Sequence, residues 1–361
     1  MPKKLMFTVD EIDTLHADVE RCAELAGLVY VAGDEPGLSR VRKGKGFSYR
    51  DHRNRALTDA VLKQRITELA IPPAWQQVWI CPQADGHILA TGQDDRGRKQ
   101  YIYHPRWRAI RDMLNFYRLI LFANHLSEIR TFTTAQLRRR TLDRDRVLAA
   151  MIQIIDASFI RIGNESYAED NDSYGLTTLS RKHVQVQGDQ VSFTFPAKSG
   201  KAWDVTITDQ AVARVITELS AQRSRRLFTV DGKAIDSGDL NQLLLSLTGE
   251  HITAKDFRTW GGTLTAFSYL EDRVHSERPA DKVVVAAVDE AAEALGNTRT
   301  VARAHYVHPH LLETYTEHTF GDYLARSRPR RLAGLQPQER RLAGLLTELF
   351  DTEFSLLTAA D

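Results

Sequence analysis

The stretch Ala294-Leu295-Gly296-Asn297-Thr298-Arg299-Thr300-Val301-Ala302-Arg303-Ala304-His305-Tyr306-Val307-His308-Pro309 is the one around which the chain is organised. A helical pattern runs into Gly296, a residue suited to the left-handed turn that stops a helix. Asn297 then precedes a short basic segment that carries Tyr306 up to the Pro309 breaker. This layout can hold a tyrosine hydroxyl near a polar amide beside a phosphate, whereas taken alone Tyr306 reads as a half-buried amphipathic side chain. The choice depends on whether the rest of the chain supplies the cations that phosphoryl chemistry needs.

Working outward, residues 144–160 are very apolar (Val147, Leu148, Met151, Ile154, Ile155, Phe159) and predict a central core helix whose end delivers Arg161. Helices are also expected over residues 106–127 and around 134–141. A β-rich insertion follows, with strands at 176–179, 183–187, 191–195 and 203–207, joined by Gly188-Asp189 and by Lys198-Ser199-Gly200-Lys201. Helices return at 210–219, 240–247, 256–269 and 281–295. Arg-Arg-Leu-Ala-Gly-Leu occurs at 330–335 and again at 340–345, but two copies do not make a solenoid, and the tail reads as a surface-packing helical segment.

Towards the N-terminus, a helix is expected over residues 5–32, ending near Gly27, then a Gly-rich basic loop from Arg40 to Tyr49 and a helix over 57–70 stopped by Pro72-Pro73. Short β-like runs follow at Trp79–Pro82, His87–Thr91 and Gln100–Tyr103. The fold class is therefore α+β. A small mixed N-terminal domain (1–105) precedes a larger, mainly helical domain (106–361) with a β-hairpin insertion.

Across 361 residues, 42% hydrophobic and 26% charged residues are ordinary for a soluble globular protein. The formal net charge of +1 hides segregation. Residues 10–35 are acidic, whereas Arg40 to Arg65 and Arg96 to Arg146 are basic, the latter containing Arg138-Arg139-Arg140. Such runs are either solvated faces or the footprint of phosphate binding. Cys22 and Cys81 have no paired spacing for zinc or for a disulfide framework. With no apolar run of about 20 residues and no signal-peptide core, a cytoplasmic protein is expected.

Nucleotide and metal motifs are missing. Gly-x-x-x-x-Gly-Lys-Ser/Thr does not occur. His305, His308 and His310 flank a helix end and suit hydrogen-bonding roles better than metal ligation. The run Asp170-Asn171-Asp172-Ser173-Tyr174-Gly175 fails as a calcium loop at Tyr174 and Arg181. Neither a metal nor a cofactor is expected.

What remains is Arg161, Lys198 in a Gly-containing turn, Arg258 within Lys255-Asp256-Phe257-Arg258-Thr259-Trp260, Asn297 and Tyr306. Singly, each has an ordinary reading. Arg161 could pair with Glu165, Lys198 could be a hairpin-tip lysine, and Arg258 could cover Trp260. Jointly they fit attack of a tyrosine on a phosphodiester: two guanidiniums grip the non-bridging oxygens and a lysine protonates the departing sugar oxygen.

The blocks Phe159-Ile160-Arg161-Ile162-Gly163-Asn164-Glu165, Phe195-Pro196-Ala197-Lys198, Lys255 to Gly261, and Leu295-Gly296-Asn297-Thr298 with Tyr306 nine residues after Asn297, resemble the catalytic core of the type IB DNA topoisomerases, in their small bacterial and poxvirus-like branch. Gly92 to Tyr103 and Ile71-Pro72-Pro73-Ala74-Trp75 are similar to that family's DNA-clamping domain. The matching blocks run in order over residues 35 to 320. The resemblance implies a catalytic core like that of the tyrosine recombinases and relaxation of supercoils in double-stranded DNA by transient single-strand cleavage, without ATP or metal. It makes Tyr306 the nucleophile of a 3′-phosphotyrosyl bond, Arg161 and Arg258 ligands of the scissile phosphate, and Lys198, with Lys201 as its rival, the general acid. It puts Asn297 where poxvirus members carry histidine. It also implies DNA-groove contacts by Gln100, Tyr101 and Tyr103, phosphate contacts by Arg96, Arg98 and Lys99, and a monomer associated with the nucleoid. The competing reading is a tyrosine recombinase or integrase. Those enzymes usually have histidine three residues before the second arginine, where this chain has Lys255.

Overall fold

The structure, a computed structural model, describes residues 12–44, 46–163, 173–197 and 202–357. Lys198, Lys201, Glu165 and Asp170 to Asp172, all singled out above, lie outside the described residues. The chain divides into two compact units between Phe116 and Tyr117.

The first unit opens with α1 (Ile12–Ala17) and α2 (Val19–Leu25). One helix is expected here, but Asp18 accepts a hydrogen bond from the Arg21 amide and caps a new helix instead. The expected basic loop is a β-hairpin, β1 (Leu38–Lys43) and β2 (Gly46–Arg50), paired from Ser39↔Arg50 to Lys43↔Gly46. Its arginines obscured the alternation, and one of them is structural. Arg40 lies 4.1 Å from the centre of the Phe47 ring and donates to the carbonyls of Ile71, Pro72 and Trp75 at 3.1, 3.0 and 2.6 Å. After α3 (Ala60–Glu68), strands β3 (Gln76–Ile80), β4 (Ile88–Gln93) and β5 (Lys99–Tyr103) complete an antiparallel sheet in the order β2-β1-β3-β4-β5. Ile66 of α3 packs with Leu38, Val78, Ile80 and Ala90 of the sheet, joined by half-buried Ile102.

The long α4 (Pro105–Leu137) is one continuous helix where two are expected. Thr131 and Thr133 satisfy their hydroxyls within it, on the Ser127 and Arg130 carbonyls at 2.8 and 3.0 Å. In the second unit α5 (Arg144–Ser158) is capped by Asp143 and is the buried core helix foreseen from its pattern, with Val147, Met151, Ile154 and Ile155 fully enclosed. Residues 176–179, expected as a strand, instead form a 3-10 turn, Leu176–Thr178, closed by the Thr178 hydroxyl on the Gly175 amide at 2.9 Å. The insertion is a three-stranded meander, β6 (Val184–Gln187), β7 (Gln190–Pro196) and β8 (Ala202–Thr208), with β7 and β8 paired out to Pro196↔Ala202. The remainder is α6 (Gln210–Ser220), the short pair β9 (Thr229–Val230) and β10 (Lys233–Ala234), then α7 (Ser237–Thr248), α8 (Ala254–Glu271), α9 (Ala280–Ala294), α10 (Arg299–His305), α11 (Pro309–Thr316), α12 (Phe320–Arg326) and α13 (Pro337–Leu357).

The repeated hexapeptide takes two conformations. Gly334 has φ +72°, whereas Gly344 sits inside α13, where a Cβ would overlap the Arg328 carbonyl. The tail is more than a surface coat, because Leu342, Leu345, Leu346, Leu349 and Phe350 are all buried. A buried charge network fastens it. Arg130 of α4 donates to Asp156 of α5 at 2.7 and 3.1 Å and to both Glu339 carboxylate oxygens at 2.8 Å. Burial pushes the Glu339 carboxyl up, but hydrogen bonds from Arg130 and the Gln336 amide pull it down further, leaving it below the ordinary glutamate value. A depressed folded-state pKa stabilises the fold above the unfolded value, and this contribution is lost as the pH falls through the folded one. Glu339→Gln is therefore expected to cost about 3 kcal/mol at neutral pH. It should also flatten the decline in urea-unfolding stability below the unfolded-state carboxylate pKa, and an unchanged acid limb would refute this role.

Candidate active site

Local structure brings four of the five catalytic candidates together, and the fifth, Lys198, lies outside the described residues. At the end of α5 the chain turns through Phe159, whose φ of 54° is left-handed, and runs on to Arg161. On α8, the Phe159 ring covers Gly261, where a Cβ would overlap it. That approach brings the Phe159 carbonyl to Arg258, one turn earlier on α8, which donates to it. The other terminal nitrogen of Arg258 donates to the Leu295 carbonyl at 2.9 Å. Phe159 and Leu295 are the C-caps of α5 and α9, so the guanidinium sits between the negative ends of two helix dipoles. This explains how an arginine only 3% exposed keeps its charge with no carboxylate among the described residues paired to it. Desolvation and the nearby charge of Arg161 push its pKa down to about 10, still cationic at neutral pH.

Gly296, at φ +59°, ends α9 as the sequence suggests. It also lies against the indole of Trp203 from β8, which leaves no room for a Cβ. Asn297 follows, 8% exposed, its side-chain oxygen accepting from Arg161. An arginine only donates, so this contact fixes the amide orientation and turns Nδ2 away from Arg161. Among the described residues neither Asn297 Nδ2 nor Arg258 Nε has a hydrogen-bond partner, although both are buried. Two guanidiniums, two unsatisfied donors and little solvent make an anion site.

Tyr306 ends α10, with its ring centre 5.0 Å from the Arg258 guanidinium carbon. Thr263 of α8 donates to the Tyr306 carbonyl at 3.2 Å and accepts from the His308 amide at 3.2 Å. Burial raises the phenol pKa. The charge and hydrogen bond of Arg258, and the charges of Arg161 and Lys255, outweigh it, and the net shift is downward. Lys255 stands three residues before Arg258, on the same side of α8, so helical spacing was the signal that could have marked it as a contributor. Thr263 and Gly262 carried no such signal. Of the flanking histidines, His308 is buried edge-on against Tyr117 at 4.9 Å, and desolvation holds its imidazole well below the ordinary value. His310 contacts the Tyr117 hydroxyl at 3.2 Å, and His305 is exposed.

In the first unit, Asp94 gathers several of the residues expected on DNA. It accepts from the Arg96 amide at 2.9 Å, from Arg98 Nε at 2.8 Å and from the Gln100 side chain at 3.0 Å. Alternation along β5 sends Ile102 into the sheet core, while Lys99, Tyr101 and Tyr103 line a cleft on the other face with Tyr30, His87 and Trp107. Tyr101 and Tyr103 stack at 5.6 Å, and the Lys99 ammonium lies 5.5 Å from the centre of the Tyr101 ring.

A Cβ on Gly262 would stand 2.7 Å from the Tyr306 carbonyl oxygen and 2.8 Å from a Leu295 methyl. Gly262→Ala is therefore expected to shift Tyr306 and, with Tyr306 as the nucleophile the resemblance implies, to slow single-turnover DNA cleavage by about 100-fold, with DNA affinity within twofold of the parent. Parental cleavage kinetics would show that the close approach is dispensable.

Residues 104–321 match the family model described as the catalytic core of eukaryotic DNA topoisomerase I, and residues 46–94 match the N-terminal domain of bacterial DNA topoisomerase IB. The DNA topoisomerase 1B of Acanthamoeba polyphaga mimivirus is 29% identical over 293 residues, covering 77% of this chain and 87% of the viral protein. That of vaccinia virus (strain Copenhagen) is 24% identical over 278 residues, covering 72% and 82%. Among solved structures, the XerH site-specific recombinase bound to its palindromic difH substrate aligns with a TM-score of 0.35 and 17% identity, over 62% of this chain and 58% of XerH. With its catalytic-core match spanning more than half of its length, this chain belongs to the type IB DNA topoisomerases and relaxes supercoiled DNA.

Proposed function

We propose that relaxation proceeds through a 3′-phosphotyrosyl intermediate formed by Tyr306. The observation that carries this reading is the phenol of Tyr306 beside a buried guanidinium that no carboxylate among the described residues neutralises, with the phenol pKa pulled down by Arg258, Arg161 and Lys255. The Tyr306 oxygen attacks phosphorus and loses its proton to solvent while the bond to the 5′-oxygen breaks. Arg161, Arg258 and the Nδ2 donor of Asn297 take the phosphate oxygens, whose charge grows in the transition state. Lys198 gives the leaving 5′-oxygen its proton. Because the phosphotyrosine retains the ester's free energy, reversal reseals the strand and needs no ATP. In the first unit, Lys99, Arg96, Arg98, Gln100, Tyr101 and Tyr103 form the DNA-facing part of a clamp, supported by the basic and aromatic surface of β5. The enzyme acts as a monomer, because a single chain carries every group the reaction uses, and its substrate is cytoplasmic, nucleoid-associated DNA.

Purified protein is expected to relax positive and negative supercoils in EDTA without ATP, and Tyr306→Phe to abolish both relaxation and covalent DNA trapping while still binding DNA. Retained relaxation by Tyr306→Phe would eliminate it as the nucleophile, and synapsis of paired DNA sites in place of relaxation would favour a recombinase. For the general acid, Lys198→Ala is expected to lose on the order of 100-fold or more in cleavage of a normal 5′-oxygen substrate but less than about tenfold with a 5′-thiol leaving group, which barely needs protonation. Equal losses on the two substrates would remove Lys198 from that role.

A further inference from the structure

The family match ends at residue 321, and α13 begins sixteen residues later, at Pro337. This helix nonetheless reaches both halves of the active site through chains of side-chain contacts. At its first turn, Glu339 accepts from the indole nitrogen of Trp260 at 3.4 Å, and Trp260 stands two residues after Arg258 on α8. The same carboxylate holds Arg130, which also pairs with Asp156, three residues before Phe159. Glu339 thus bears on α8, which carries Arg258, and on the end of α5, whose carbonyl receives it. Three turns along α13, the Phe350 ring meets Tyr117 edge-on at 5.0 Å. Tyr117 in turn meets His308, two residues after Tyr306, edge-on at 4.9 Å. The His308 amide and the Tyr306 carbonyl share the Thr263 hydroxyl, so this contact path ends on the backbone of the nucleophile.

We propose that α13 is a positioning brace for the active site, in which Glu339 holds the setting of Arg258 and Phe350 holds that of Tyr306. Neither residue touches the reacting atoms. A helix serving stability alone would need only its leucine face, Leu342, Leu345, Leu346 and Leu349, which is already buried. A buried carboxylate within hydrogen-bond distance of Trp260 is a costly way to add stability, and a directional one. Because rate depends steeply on the placement of the phosphate ligands and the phenol, small shifts at these two contacts translate into rate.

The inference rests on the roles proposed for Arg258 and Tyr306, and its test separates the two. In single-turnover cleavage, Glu339→Gln is expected to slow covalent adduct formation about tenfold in the parent enzyme but less than twofold in an Arg258→Lys background, since a residue acting through Arg258 has little left to disturb there. DNA affinity, measured in the Tyr306→Phe background, should stay within twofold. An unaltered rate, or the same tenfold loss in both backgrounds, or a matching loss of affinity, would overturn the brace. Should Glu339→Gln not fold, Phe350→Leu carries the test, with cleavage slowed severalfold and affinity unchanged. Parental kinetics for Phe350→Leu would overturn the proposal. If Tyr306→Phe itself cleaves DNA, the site assignment fails. If Tyr306→Phe is inert and the Glu339 losses are independent of Arg258, only the brace fails.

Discussion

The buried guanidinium of Arg258 is the constraint on which the rest of this structure depends. Moving an arginine out of water costs several kcal/mol unless its donors are met, and an opposing carboxylate would neutralise the charge the site needs. The fold meets both terminal nitrogens with main-chain carbonyls at the C-terminal ends of α5 and α9, and among the described residues leaves Nε unpaired. That solution dictates where both helices stop. It explains the left-handed turn at Phe159 and the stop at Gly296, because each presents a C-cap carbonyl to the same side chain.

Close approach is the second requirement, and it accounts for three glycines. Gly261 admits the Phe159 ring, Gly262 the backbone of Tyr306, and Gly296 the indole of Trp203. Each brings a segment from a different part of the chain against α8 or the Asn297 turn at a distance that a methyl group would prevent. The site is therefore built by sequence-distant elements that meet over missing side chains, which gives precision at the cost of tolerance to substitution.

This division of labour explains what the sequence discloses. The apolar periodicity of residues 144–160 gave the core helix, because a fully enclosed helix has little freedom in composition. The candidates Arg161, Arg258, Asn297 and Tyr306 stood out as residue types that one reaction needs together, and they do converge. The β1–β2 hairpin was not legible, because Arg40 lays its guanidinium over the Phe47 ring and spends its donors on carbonyls, so a structural arginine looked like a loop cation. The continuity of α4 was hidden by a threonine-rich turn whose hydroxyls are satisfied inside the helix. Nor could pattern alone assign Glu339. One acid among the charges of a polar tail has no signature until its partners, Arg130 and Trp260, are seen around it.

The neutral amide at Asn297 now has a physical setting. Its oxygen is committed to Arg161, so it orients one cation while its own N–H, unpaired among the described residues, is left for the anion of the proposed mechanism. A histidinium there would add charge to a pocket where burial and Arg161 already depress the Arg258 pKa. Each further cation costs more than the last in the DNA-free enzyme, through mutual repulsion in a poorly solvated space. A phosphodiester carries one negative charge and gains another on the way to the pentacoordinate transition state, so buried cations favour the transition state over the bound ground state. An amide forgoes part of that gain and avoids part of the repulsion, leaving the charge stabilisation to the two guanidiniums whose geometry the fold already fixes.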